Sequence, residues 1–535
     1  MTKQRNFFNH SVSGFLFLFS SAYLYFFVRV LNRIGDEGAL VYNAQRVIEG
    51  ALPSRDFVEI MGPASFYWLG LFFKLFGVHV YVARGLLMLT GSLITVLLYW
   101  MTKRIYDGPF TVLPCIFYLF ISIPLWSGTN HHWDSNLFAL LSIGAFFLWQ
   151  DRKQIYLLVL SGILAGLTSC FLQQKGLLIV LSLAFLLCGL GFSKNSPYYQ
   201  TKKQIVLQLG TLMGSYGVVG CLVLLFYYLS GSLTGLLHAN LVAPLTGYID
   251  LNSVPYGFYL FNFFLISYSD AFQHILPFPL DRMLSVLIVF PLMLIYWLPA
   301  LLLCLAGMIW FQKSEENINF YWKILPYLVT GAALWLSELH RKDLFHLIYG
   351  APVLLILLFV LWTYCFRSKY NLQFFGICFV LLTVILFGYF NIRSSASADH
   401  PIATRRGTLY AHQEDLALKF LMDNTVPGDY VFVYPYYPMY YFLADIRNPT
   451  RYSVTYYCSI GQADEMIRDF QNKPVKYVLW DKVISGKKFK TWFPQYDQPS
   501  DGDLRLEQYI LDHYQVIATG NGFDILKRQD EPNPR

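Results

Sequence analysis

Charge is what this sequence is short of. Only 14% of its 535 residues are Asp, Glu, Lys or Arg, against about 25% in soluble globular domains. With 56% hydrophobic residues and a mean hydropathy of +0.43, most of the surface must face something other than water, which excludes a soluble enzyme. Metal-binding or cross-linking cysteine patterns are missing too. There is no CxxC pair and no Cys/His cluster, which excludes a disulfide framework and a zinc-finger signature. Seven cysteines (Cys115, Cys170, Cys188, Cys221, Cys304, Cys365 and Cys378) lie inside apolar runs and read as small core residues; Cys458 alone sits in a polar stretch. The sequence has no Gly-rich phosphate loop and no Ser/His/Asp arrangement. The net charge of +7 is scattered over short loops without an aromatic-interleaved basic stripe, so no nucleic-acid partner is expected.

What is present is a series of long apolar runs. A spanning helix needs about 20 apolar residues, and candidate spans fall near 12–32, 80–102, 109–126, 135–150, 155–173, 175–192, 205–229, 283–311, 322–338, 346–366 and 372–392. The first run is followed by no small-residue cleavage site and is expected to be retained. Aromatic residues at 18% fit chains that place Trp and Tyr at bilayer interfaces. Basic residues favour the cytoplasmic side. Lys3 and Arg5, Lys103 and Arg104, Arg152 and Lys153, Lys194 with Lys202 and Lys203, Lys313 and Lys323, and Arg367 and Lys369 all fall on one side of the alternation. No Lys or Arg lies between Arg104 and Arg152 or between Lys203 and Arg282, where the outer loops 127–134 and 230–280 are expected. The chain therefore reads as a polytopic α-helical protein of the cell (inner) membrane with about eleven spans, residues 1–392, and a cytoplasmic N-terminus. Residues 393–535 read as a small extracytoplasmic α/β domain. Its strands are expected at Tyr430–Tyr434, Val475–Trp480, Val516–Ala518 and Phe523–Leu526, and its helices over 413–423 and 503–513.

Unusual residues gather in the outer loops. The first, about 33–79, opens Arg33-Ile34-Gly35-Asp36-Glu37-Gly38. Here Gly35 is expected to end one helix and Asp36 to cap the next. Leu40, Ala44, Val47 and Ile48 would line one side of that helix, with Asn43, Arg46 and Glu49 on the other and Gly50 stopping it. A second helix, from Gly62-Pro63 to Gly77, is too short to span and should lie along the interface. Asp36 and Glu37 have two readings: caps that complement a helix dipole, or a carboxylate acting as general base toward a hydroxyl or amine. In the second loop, His131, His132 and Asp134 can contact a sugar or phosphate. They can also bind a divalent metal, although adjacent histidines point at one ion with difficulty. In the third, Glu338-Leu339-His340-Arg341-Lys342-Asp343-Leu344-Phe345-His346, Arg341 and Lys342 either hold a lipid-linked phosphate or pair internally with Glu338 and Asp343. Arg84 is a further phosphate candidate, and Tyr42 and His346 are counted with the substrate-binding residues. The tyrosines of 434–441 either stack on sugar rings or pack an interface.

From Gly35-Asp36-Glu37-Gly38 through Gly50, Arg55-Asp56-Phe57, Gly62-Pro63 and Lys74-Leu75-Phe76-Gly77 to Arg84, the sequence resembles membrane glycosyltransferases of the GT-C type. More narrowly, it resembles bacterial relatives of the dolichyl-phosphate-mannose protein mannosyltransferases and aminoarabinose transferases. The resemblance implies a polyprenyl-phosphate sugar donor, an extracytoplasmic acceptor, interface helices in the first outer loop, and Asp36 as catalytic base with Glu37 beside it. It also places Arg341 and Lys342 at the donor phosphate and Asp134 at an acid of the second outer loop. An inverting transfer in the bilayer is the expected activity, with a divalent metal allowed but not required. The alternatives are a lipid-linked oligosaccharide polymerase or ligase, and a secondary transporter.

Overall fold

A chain without water for its amides must satisfy them internally, and in a bilayer a helix does so within one segment. In the computed structural model, which describes residues 2–31, 35–193, 196, 198–246, 252–311, 315–485, 489–496 and 498–529, every expected span is helical. They are α1 (Thr2–Val28), α4 (Val80–Ile105), α5 (Leu113–Ile121), α6 (His131–Arg152), α7 (Ile155–Phe171), α8 (Gln173–Phe192) and α9 (Lys202–Leu229). After them come α10 (Leu280–Trp310), α11 (Glu315–Glu338), the pair α12 (Leu344–Gly350) and α13 (Pro352–Cys365), and α14 (Tyr370–Ala396). Six are long and apolar enough to cross a membrane alone, and α12 with α13, bent by 71°, makes a seventh. The bend falls where Pro352 supplies no N–H to continue the helical ladder. The other four are short, as α5 and α7 are, or carry polar residues that face inward, as α6 and α11 do. Helix α13 is buried on every side, from Val353 to Leu361, and forms the axis of the bundle. Helix α9 exposes Val206, Leu207, Val218, Leu222, Leu225 and Leu229, the surface of a helix set in lipid. The chain is an integral membrane protein.

Two short helices occupy the loop between α1 and α4. They are α2 (Gly35–Ile48) and α3 (Ala64–Phe76), the second exposing Tyr67, Leu71, Leu75 and Phe76 along one side. Gly35 does not end a helix, contrary to expectation; it starts α2, and Asp36 lies in the first turn instead of preceding it. Arg33, Ile34, Lys194 and Lys313 fall outside the described residues. Helix α11 begins at Glu315, ahead of the expected start near 322, and carries Lys323 within it. Residues 230–280 are not a plain loop but hold helical turns, two of them π-type, at His238–Val242 and Leu260–Leu265.

Beyond α14, a hairpin of β1 (His400–Thr404) and β2 (Gly407–Ala411) leads into a four-stranded sheet of order β3-β4-β6-β5. Strands β3 (Val431–Tyr434) and β4 (Tyr477–Asp481) run parallel, while β6 (Phe523–Arg528) and β5 (Tyr514–Gly520) run antiparallel to their neighbours. Helices α15 (Leu416–Asn424), α17 (Ile460–Asn472) and α19 (Asp501–His513) accompany them, with the short turns α16 (Met439–Leu443) and α18 (Phe489–Trp492). The hairpin and α17 were not legible in the sequence, although Ser459 and Gln462 form a reciprocal cap on α17.

This domain sits directly on α2 and α3. Tyr437, Tyr440, Tyr441 and Phe442 are buried against them, with Tyr441 packed 5.1 Å from Tyr42 and Phe442 stacked 5.7 Å from Phe73, so most of the tyrosine run packs an interface. The Val58 N–H donates to the Arg451 carbonyl at 3.0 Å, tying the first loop to the domain. Gly38 permits this contact, because a Cβ there would meet the Met439 backbone nitrogen at 2.2 Å. Backbone cannot swing aside as a side-chain tip can. We expect Gly38→Ala to destabilise the protein by about 1–3 kcal/mol, read as a lower melting temperature in detergent and faster proteolytic release of the C-terminal domain.

Candidate active site

Asp36 is half-buried at the face where the C-terminal domain meets the bundle. The Tyr436 hydroxyl donates to its Oδ1 at 3.0 Å, so one residue of the distant domain touches the acid that opens the first loop. Gly35 makes room for this ring, since a Cβ would lie 2.4 Å from it. Among the described residues no Lys or Arg pairs with Asp36. A second carboxyl, Glu59, completes the corner. Asn43 Nδ2 donates to Glu59 Oε1 at 3.2 Å and to Ser453 Oγ at 3.0 Å. Burial pushes the Glu59 carboxyl up to about 7, with the Ser453 bond opposing and the nearby Asp36 charge reinforcing the shift. Glu59 escaped the sequence reading because it lies in an irregular loop with no periodic pattern.

The sign of the Glu59 effect follows from its raised value. Below its ordinary range the carboxyl is protonated whether the chain is folded or not. As pH rises toward 7 only the unfolded chain gives up the proton freely, so stability falls through this window. We expect the melting temperature to fall as pH rises toward 7 and a Glu59→Gln variant to lose that dependence, checked by thermal unfolding in detergent across this pH range.

Glu37 points the opposite way from its neighbour. It is fully buried, with Arg84 Nε 2.5 Å from Oε1 and Arg84 Nη2 donating to Oε2 at 2.6 Å. The Thr129 N–H donates to Oε1 at 3.1 Å, and Arg84 also donates to the Ser127 carbonyl. Arg84 is thus paired with Glu37, and the pair fastens α2 to α4 and to the loop before α6. Tyr42 is buried as well, 5% exposed, and its hydroxyl accepts from the Asn448 N–H at 2.9 Å within the domain seam.

Arg341 is held from several sides. It donates to Asp343 Oδ2 at 2.5 Å, to Asn252 Oδ1 at 2.8 Å, to the Tyr259 hydroxyl at 3.3 Å and to the Trp492 carbonyl at 2.6 Å. Phe493 lies against its guanidinium at 5.3 Å and is 6.3 Å from Tyr436, so an aromatic path runs from Arg341 to the hydroxyl on Asp36. Lys342 is half-exposed and, among the described residues, has no ion-pair partner. Internal pairing therefore applies to Arg341 with Asp343 but not to Glu338. That carboxylate belongs to Lys175, whose Nζ lies 2.6 Å from Oε1, both side chains fully buried. Lys175 also donates to Ser135 Oγ at 3.0 Å and Asn136 Oδ1 at 2.6 Å. Periodicity gave no hint of Lys175, a lone cation inside an apolar run; its rarity there was the only signal.

His132 lies with Nδ1 3.1 Å from Glu338 Oε2, and His346 Nδ1 is 2.8 Å from Asp343 Oδ1. His131 packs 4.2 Å from His132, while Asp134 turns to α4, where the Thr90 hydroxyl donates to it at 3.2 Å. The expected trio of His131, His132 and Asp134 is therefore not a single cluster. His132 groups instead with Glu338 at the end of α11, His340 in the turn after it and His346 in α12. Tyr349 stacks on His132 at 4.5 Å and feels the charges of Asp36, Glu338 and Asp343, linking this cluster electrostatically to the acid of the first loop.

No protein-family model matches the chain, and no curated protein matches its sequence at a significant level. Solved structures do match its fold. The archaeal oligosaccharyltransferase AglB from Archaeoglobus fulgidus, in complex with an inhibitory peptide and a dolichol-phosphate, superposes with a TM-score of 0.54 at 13% identity, covering 99% of this chain and 75% of that one. The apo form of the Archaeoglobus fulgidus oligosaccharyltransferase gives 0.52 at 11% identity, over 95% and 80%. ArnT from Cupriavidus metallidurans bound to undecaprenyl phosphate gives 0.50 at 12% identity, over 100% of both chains. The chain has the GT-C fold that its first loop led us to expect: a helical membrane bundle with a small C-terminal α/β domain.

Proposed function

We propose that the chain is an inverting membrane glycosyltransferase that moves a sugar from a polyprenyl-phosphate donor to an acceptor at the extracytoplasmic face. The bundle of residues 1–392 would carry the chemistry and the domain of 393–535 would close over it, with the N-terminus cytoplasmic. One observation carries the reading most directly. Two adjacent carboxylates at the mouth of the bundle have opposite settings: Glu37 is neutralised by Arg84, whereas Asp36 takes a tyrosine hydroxyl and, among the described residues, no cation. The fold supports the donor class, since AglB and ArnT are seen with dolichol-phosphate and undecaprenyl phosphate.

In the proposed step the acceptor oxygen or nitrogen attacks the anomeric carbon on the face opposite the phosphate. The new bond to the sugar forms as the carbon–oxygen bond to phosphate breaks, and the acceptor's proton passes to Asp36. Polyprenyl phosphate departs with the electron pair, its charge met by Lys342 and by the guanidinium of Arg341. Fixed cations need no reorganisation at that moment, so most of the rate gain is assigned to them and to the base. The sugar and acceptor are identified by comparing lipid extracts from cells with and without the gene, by mass spectrometry. One polyprenyl-phosphate sugar should accumulate in its absence while a glycosylated envelope product disappears; identical lipid and product profiles would sink the proposal.

A further inference from the structure

We propose that the cleft between α6 and α8, at the end of the bundle opposite Asp36, binds the headgroup of an anionic phospholipid. The site lies apart from the proposed transfer reaction and does not depend on it.

Helix α6 begins among the outer-loop histidines and runs for 22 residues, about 33 Å at the rise of an α-helix, so Arg152 and Lys153 lie at its far end. There the last turns of α6 and α8 leave a cleft walled by the buried side chains of Phe146, Leu187 and Leu190. Trp149 and Tyr198 add aromatic faces, and Gln150, Lys153 and Gln200 complete the lining with polar groups.

Each of these three polar side chains has bonding capacity that the protein leaves unused. Gln150 is 4% exposed and accepts from Arg104 Nη2 at 3.3 Å through Oε1, but none of the described residues accepts from its amide nitrogen. Gln200 Oε1 is buried and receives no donor among the described residues. Lys153 Nζ rests 4.9 Å from the Trp149 ring and 5.4 Å from the Tyr198 ring, and no described carboxylate pairs with it. The nearby acid, Asp151, is taken by Arg104, whose Nε and Nη2 donate to it at 3.0 and 2.8 Å. Buried polar groups are normally satisfied. Two unpaired donors and one unpaired acceptor in one cleft call for a ligand with anionic oxygens and a donor of its own.

The backbone agrees. Lys153 closes α6 in the left-handed region, at φ 59° and ψ 17°, where glycine or asparagine is the usual residue. A lysine held there against that preference brings an ammonium onto the aromatic faces of the cleft. Gln200 leads into α9, whose first turn carries Lys202 and Lys203 and no acid. Cations at a helix N-terminus run against its dipole, which favours an anion there. A phosphodiester answers all of these charges, and a headgroup hydroxyl, as on phosphatidylglycerol, supplies the donor for Gln200. Trp and Tyr mark the depth of the headgroups, and basic pockets between spanning helices bind anionic ones. General charge sorting accounts for lysines on one side of a membrane, but not for a cleft that leaves Gln150 and Gln200 unpaired.

The full chain, delipidated in neutral detergent, is titrated with phosphatidylglycerol, phosphatidylcholine and inorganic phosphate, and bound lipid is counted by native mass spectrometry. We expect one phosphatidylglycerol retained per chain, phosphatidylcholine bound about 10-fold more weakly, and no displacement by inorganic phosphate. Lys153→Gly removes the ammonium yet suits the left-handed backbone. It should melt no lower than the parent and bind phosphatidylglycerol about 10-fold more weakly. Gln200→Leu should also weaken binding, whereas Lys369→Gln, an exposed cation at the same end but outside the cleft, should leave it intact. Equal retention of phosphatidylcholine, displacement by inorganic phosphate alone, or a loss in Lys369→Gln as large as that in Lys153→Gly would each overturn the site.

Discussion

Asp36→Asn should abolish sugar transfer while leaving the protein intact. The substitution keeps size and shape, and the Tyr436 hydroxyl that donates to Oδ1 at 3.0 Å can donate equally to an amide oxygen. What is lost is the ability to accept a proton from the attacking group. A positioned base contributes about 10²–10⁴ in rate, or about 3–5 kcal/mol in the barrier, so kcat should fall by that factor with donor binding little changed. The check is single-turnover transfer in proteoliposomes, alongside melting temperature and elution volume. An unchanged rate at equal stability would make Asp36 a dipole partner of α2 and nothing more. A tenfold effect would be too small for the base and would place the residue in positioning the acceptor.

The spans were legible because hydropathy over twenty residues is a bulk property of the chain, indifferent to side-chain detail. For the same reason the strands of the C-terminal domain could be read from β-branched and aromatic runs such as Val431–Tyr434. Pairing was not legible. Nothing about Arg84 in sequence distinguishes a phosphate ligand from the partner of Glu37, a carboxylate forty-seven positions away. Tyr436 and Glu59 belong to the corner around Asp36 only because two glycines let the C-terminal domain close on α2, and that closure is a tertiary fact. Likewise Arg341 and Lys342, neighbours of the same charge, differ in setting because one is gripped by Asp343, Asn252 and the Trp492 carbonyl. The residue types drew attention to the outer loops, and the contacts show which of those side chains are paired.

The neighbour of Asp36 should behave in the opposite way. Arg84→Met leaves the Glu37 carboxylate with no counter-ion in a site where it has no exposure to solvent. Breaking a buried pair from one side costs about 3–5 kcal/mol, because the remaining charge must stay desolvated or pull the structure open. Unfolding of a membrane protein is seldom reversible, so the comparison is of melting temperatures at one scan rate. Arg84→Met should melt well below the parent and lose transfer together with its fold. Adding Glu37→Gln removes the stranded charge and should recover part of the loss, the recovery limited by the Ser127 carbonyl, which loses its donor. The alternative, that Arg84 binds the donor phosphate, makes a different forecast: Arg84→Met would then melt like the parent and show only a raised KM for the lipid donor. A large thermal loss, partly restored by the second substitution, assigns Arg84 to the frame that holds α2 in place. It would also explain why two adjacent acids in one turn of helix serve different ends, one anchored so that the other can be free.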